Sequence, residues 1–207
     1  MKKTLTVAMA MIVGMVCVTP FSQAATSVQG PFTVSAVVPS ALTLTVVMRR
    51  NDFAGTTITS MNFGNLIDIG TGTLRSSATS NTGTGAAAVF LSAQSQGLPY
   101  SITQTGTPMS NGGSTLPAGA CIVKPTYSAG DNGGLTMPAG ASLGTGATWT
   151  SVSSKLIYQS EATAAQARTI TAFYSVTDDP AAGATQGVPL GQAAGTYSGT
   201  VTFTLTA

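Results

Sequence analysis

Apolar and polar residues alternate with a period of two at several places along the chain, most regularly at its end. From 195 to 207 one side carries Tyr197, Gly199, Val201, Phe203, Leu205 and Ala207, and the other carries Ser198, Thr200, Thr202, Thr204 and Thr206. This predicts one uninterrupted β-strand with one face on a core and a threonine face in water. The strand therefore needs a second apolar sheet face to cover Val201, Phe203 and Leu205.

The same alternation recurs near the start. Residues 32–38 place Phe32, Val34, Ala36 and Val38 on one side, Pro39-Ser40 interrupts, and 41–48 place Leu42, Leu44, Val46 and Met48 together. Two strands joined by a proline read either as one bent strand or as two elements serving different partners. Further strands are predicted at 57–63, ending beside Asn62-Phe63-Gly64, and at 99–103, 121–127, 149–159 with 155–158 at its centre, and 168–176. Residues 86–93 form an apolar run rather than an alternation, as in a strand buried on both sides. Residues 70–85, 106–119 and 128–147 read as loops, rich in glycine with Asn-Gly and Pro-Ala-Gly turn signals. The window 161–168 is helix-compatible but short and without an apolar stripe, so it reads as a loop or single turn. Asp178-Asp179-Pro180 opens a flexible link. Eight or nine short strands and no long helix predict an all-β sandwich.

Composition changes this picture in two ways. Lys2-Lys3, the apolar run 5–18 and Ser22-Gln23-Ala24 predict a secretory signal peptide over 1–24. Cys17 follows the bulky Val16, which disfavours a lipoprotein anchor. Without that leader, Arg49, Arg50, Arg75, Lys124, Lys155 and Arg168 balance Asp52, Asp68, Asp131, Glu161, Asp178 and Asp179. A neutral chain gives no electrostatic reason for a nucleic-acid or anionic-membrane partner. Only 7% of residues are charged, so the surface is built from Thr, Ser, Gly, Asn and Gln. Such a surface repels other copies weakly and favours packing in an assembly.

Candidate chemistry is sparse. The sequence contains no histidine, which removes the usual general base and the usual zinc ligand, so neither a Ser-His-Asp nor a Cys-His arrangement is available. Cys121 has no second cysteine after the leader and reads as a buried small apolar residue or an intermolecular bridge. Asp178 and Asp179 are neighbours on an extended chain and point apart, so they read as a turn rather than an acid/base pair. Asp131-Asn132-Gly133-Gly134 lacks the alternating oxygen ligands of a calcium loop, and Gly83-Thr84-Gly85 lacks the lysine and helix of a phosphate loop. The expectation is a non-enzyme without metal or cofactor.

Asn62-Phe63-Gly64, the strand 170–174 and above all the stretch 194–205 resemble the spore-coat-U-type family and the related pilin subunits of archaic and alternative chaperone–usher pathways. Residues 32–44 also resemble the N-terminal region of such pilins. The resemblance implies an immunoglobulin-like sandwich lacking one core strand. It also implies a periplasmic chaperone, an outer-membrane usher and completion by the N-terminal extension of the next subunit. On that reading 1–24 is a signal peptide, 25–38 a donor extension and 39–207 one pilin-like domain. Phe32, Val34, Ala36 and Val38 would form the donor face, with Tyr197, Val201, Phe203 and Leu205 on the acceptor side or at the chaperone edge. The chain would pass through the periplasm to a surface fibre. Two alternatives stay open: the 32–38 strand completes its own sandwich, or the protein is a self-contained secreted sandwich that binds carbohydrate through loops bearing Trp149, Tyr127 or Tyr158.

Overall fold

The structure, a computed structural model, describes residues 42–50, 57–76, 87–145, 147–163 and 165–207. The expected leader and the segment with Phe32, Val34, Ala36 and Val38 lie outside the described residues. The rest is all-β, with thirteen strands in three antiparallel sheets. The largest sheet runs β2 (Thr57–Ile58), β1 (Thr43–Arg50), β5 (Ala87–Gln94), β11 (Arg168–Val176), β7 (Cys121–Tyr127), β9 (Ala147–Thr148). The second runs β13 (Val201–Thr206), β6 (Ser101–Gly106), β10 (Lys155–Gln159), β8 (Ser142–Leu143). A small third sheet holds β12 (Val188–Pro189), β4 (Thr73–Ser76) and β3 (Leu66–Asp68).

The strand count exceeds the eight or nine expected because β2, β8, β9 and β12 are two residues long, too short to leave a period in the sequence. β8 sits inside an expected loop, β9 straddles the end of that loop, and β12 lies inside an expected link. β4 likewise falls in the 70–85 stretch read as loop, where Leu74 is its only large apolar residue and pairing on both sides supplies the order. β2 covers only the start of the expected 57–63 strand. No helix forms among the described residues of 161–168, which bend at 162–163 and make one isolated bridge at Ala165 before β11.

The two large sheets enclose one core. Leu91, Val89 and Ala93 of β5 and Ile170, Ala172 and Tyr174 of β11 meet Ile102 of β6 and Ile157 and Tyr158 of β10, all fully or almost fully buried. β5 is buried on both faces along part of its length, as its unbroken apolar run predicts. At one end of the sandwich β7 touches β8. An aligned sandwich with that contact at one end would set β10 over β11, β6 over β5 and β13 over β1. The order β1-β5-β11-β7 corresponds to strands A-B-E-D of an immunoglobulin-type sandwich, and β6-β13 to its strands C-F.

The terminal strand is shorter than its alternation predicts. The β6–β13 ladder pairs Gly106 with Val201, yet the next bridge joins Ser110 to Ser198. Three residues therefore face two across the gap, which is a bulge. Pro108 lies in it and has no amide to donate, so the regular ladder stops there. Alternation continues through 195–200 in sequence, while pairing there is reduced to the Ser110–Ser198 bridge and the Thr107–Thr200 bonds.

A candidate strand-acceptor edge

β13 pairs with β6 on one side only, from Val201↔Gly106 to Thr206↔Ser101. Thr107 donates its amide to the Thr200 carbonyl at 2.9 Å, which fixes the phase of the ladder. Alternation then directs the amides of Thr202, Thr204 and Thr206 toward β6 and those of Val201, Phe203 and Leu205 toward the opposite, outer edge. Among the described residues no strand pairs with that edge. It is the position that strand G occupies beside strand F in a complete immunoglobulin-type sandwich.

Side-chain burial follows the same line. Val201, Phe203 and Leu205 pack on the core but remain only partly buried, while Thr202, Thr204 and Thr206 are exposed. Across the sandwich, Val46 of β1 pairs with Leu91, which in turn pairs with Ile170. These three lie in one row on one sheet face, yet Leu91 and Ile170 are 0% exposed and Val46 is 43% exposed. Burial thus falls away toward β1 within a row that should be uniformly covered. β2 pairs with β1 only at Met48 and Arg49, so the Thr43–Val47 part of the β1 edge also has no partner among the described residues. β13 ends its sheet and β1 is followed in the other only by the two-residue β2, each toward the end away from the β7–β8 contact.

Tyr197 lies before β13 and is anchored in its own loop. Its phenol donates to the Ala193 carbonyl and receives a bond from the Gln192 amide, both at 2.7 Å. The aromatics considered for a sugar platform behave differently from that expectation. Trp149 and Tyr158 are core residues, 2% and 0% exposed. Trp149 stacks on Phe63 with centroids 5.8 Å apart, and Tyr158 packs against Tyr100. Desolvation pushes the Tyr158 phenol up to about 12. Tyr127 is partly buried and donates to the Thr136 carbonyl. A stacking platform needs an exposed ring face, which burial of Trp149 and Tyr158 denies.

The remaining polar groups hold the fold. Cys121 is fully buried and free, and desolvation raises its thiol to about 12, which removes the thiolate that nucleophilic or metal chemistry needs. Arg168, almost fully buried, faces Glu161 at 3.8 Å and donates to Gln166 and the Ala167 carbonyl. Tyr174 donates to Gln104 in the centre of the sandwich. Sequence reasoning did not single out Arg168, Glu161 or Gln104, because their partners lie on other strands or on a loop that carries no pattern. Asp179 caps the short turn Pro180–Ala182 by accepting from the Ala181 amide. Asp178 instead accepts from Thr73 at 2.5 Å and Thr71 at 2.7 Å and faces Arg75 at 4.0 Å. This segment is a tied junction to the third sheet, where the sequence suggested a flexible link.

The bond from Thr73, opposed by desolvation and reinforced by Thr71 and Arg75, holds the Asp178 carboxyl below its ordinary 3.8. The unfolded chain then binds more protons in the window between the two values, so acid favours unfolding there. Stability from this group is expected to be complete well above pH 3.8 and to be lost as pH falls through 3.8 toward the lower folded value. Urea unfolding across that range measures it, and Asp178→Asn should flatten that part of the fall.

Comparison with family models, with curated proteins and with solved structures found no match to this chain.

Proposed function

We propose that this chain is a structural subunit of a surface fimbria or coat, exported to the periplasm and assembled by donor-strand complementation. The reading rests on incomplete burial along β1 and β13: Val46 is 43% exposed in a row with fully buried Leu91 and Ile170, and Val201, Phe203 and Leu205 pack on the core only partly buried, beside an edge with which no described strand pairs. An added strand would bond the outward amides of Val201, Phe203 and Leu205 and place alternate apolar side chains over those partly buried residues. The candidate occupant is the extension 25–38, whose Phe32, Val34, Ala36 and Val38 have the required period of two. Large side chains contribute about 1.5–3 kcal/mol each on burial. Several of them and a main-chain ladder are of the right order to offset the roughly 4–15 kcal/mol of freedom lost on association.

A subunit with an open core row would need a temporary cover before assembly, which is the role of a periplasmic chaperone, and an outer-membrane usher would exchange that cover for the next subunit. The weakly charged surface supports close packing of identical copies. The test compares residues 25–207 with a chain lacking 25–38. The shortened chain is expected to take up a labelled 25–38 peptide in equimolar amount. A shortened chain that stays folded and ignores the peptide would contradict the reading.

A further inference from the structure

Two Asn-Gly steps occur in the described chain, Asn111-Gly112 and Asn132-Gly133. Glycine after asparagine has no Cβ to hinder approach of its amide nitrogen to the asparagine Cγ. The fold treats the two carboxamides oppositely. Asn132 Nδ2 donates to the carbonyls of Ser128 at 2.8 Å and Thr169 at 3.0 Å, while its Oδ1 accepts from the Thr169 amide at 2.8 Å. The carboxamide is pinned by two bonds to Thr169 of β11 and one to Ser128, its amino group is held, and the Gly133 amide donates to the Gly130 carbonyl.

Asn111 presents the other arrangement. Its Oδ1 accepts from the amides of Gly113 at 3.2 Å and Ser114 at 2.8 Å, and its amino group makes no hydrogen bond among the described residues. Gly112 is exposed, has φ +89°, and its amide has no partner among the described residues. Two backbone donors thus converge on the oxygen that would bear charge if Cγ became tetrahedral, beside an accessible nucleophile.

We infer that Asn111 is a site of spontaneous succinimide formation and that Asn132 is protected from it. Solvent hydroxide removes the Gly112 amide proton and the nitrogen attacks Cγ of Asn111. The new N–Cγ bond puts negative charge on Oδ1, between the two amides. The Cγ–Nδ2 bond then breaks, and the amino group leaves as ammonia with a proton from water. Water opens the imide at either carbonyl, giving aspartate or isoaspartate. The net change consumes one water and releases one ammonia, and no other reactant enters.

The position gives the reaction a consequence. Ser110, the preceding residue, exchanges two main-chain bonds of 2.9 and 3.0 Å with Ser198 just ahead of β13. Asn111 Nδ2 lies against Gly195, 2.8 Å from where a Cβ there would stand. The product sets a carboxylate against this clasp, and the isoaspartate form also lengthens the main chain by one carbon. The chemistry does not depend on the assembly reading; its effect would be a slow loosening of the approach to the terminal strand.

The test incubates the full-length chain, folded and in denaturant, at mildly alkaline pH and follows both sites by peptide mass mapping with isoaspartate detection. In denaturant the two sites should react at similar rates. In the folded chain Asn111 should be at least about tenfold faster than Asn132, a difference of about 1.4 kcal/mol in barrier, and should keep its unfolded rate or exceed it. Equal rates in the folded chain, or folding that slows Asn111 as much as Asn132, would overturn the inference.

Discussion

Trp149→Ala is expected to lower stability by about 3–5 kcal/mol, the range for truncating a buried tryptophan. Trp149 is 2% exposed, stacks on Phe63 at 24° between ring planes, and meets Tyr174 edge-on at 6.0 Å. Its backbone amide bonds the Cys121 carbonyl at 2.9 Å, so its place is fixed at the start of β7 and the cavity would collapse only partly. Trp149→Phe should lose much less. It keeps a ring between Phe63 and Tyr174, and it removes an indole N–H that has no partner among the described residues. Thermal or urea unfolding of both variants measures the difference. If Trp149 were instead a sugar-binding surface residue, both variants would keep wild-type stability.

If 25–38 is the donated strand, replacing both Phe32 and Val34 by serine is expected to weaken subunit association by about 3–6 kcal/mol, from the loss of two large side chains that the proposed donor strand would bury. This is more than a hundredfold in equilibrium terms. The isolated subunit should show no matching loss of stability if the segment is donated to a neighbour. If the segment completes its own sandwich, the loss appears in subunit unfolding instead. Measuring both assembly and unfolding of the Phe32→Ser/Val34→Ser variant therefore separates a donated strand from an intrinsic one.

The long strands were legible because burial imposes a period of two that survives in the sequence. β5, β7, β11 and the core of β13 fall where alternation or an apolar run placed them. The two-residue strands were not legible, since pairing across distant segments rather than local pattern creates them. The end of β13 illustrates a different limit. Residues 195–200 keep their alternation, but Pro108 on the facing segment stops the ladder, and that fact is written elsewhere in the chain.

The candidate edge was half legible. The sequence marked Val201, Phe203 and Leu205 as a face in need of cover. It could not mark Val46 as the exposed end of a row headed by Leu91 and Ile170, because Val46 looks the same as Leu44 and Met48 in the pattern. Burial of Trp149 was not fixed by the pattern either, since an aromatic in a turn can fold inward or outward. Asn132 shows the same limit in polar form: its sequence context is a turn, yet its carboxamide serves as a backbone surrogate on β11.

Whether the outer edge of β13 receives a strand is read from amide hydrogen exchange along β13. In the chain lacking 25–38, the amides of Thr202, Thr204 and Thr206 should be protected by β6, while those of Val201, Phe203 and Leu205 should exchange fast. Adding the 25–38 peptide should protect Val201, Phe203 and Leu205 and leave the threonines as they were. If those three amides are already protected without the peptide, or stay unprotected at saturating peptide, β13 is not the acceptor edge.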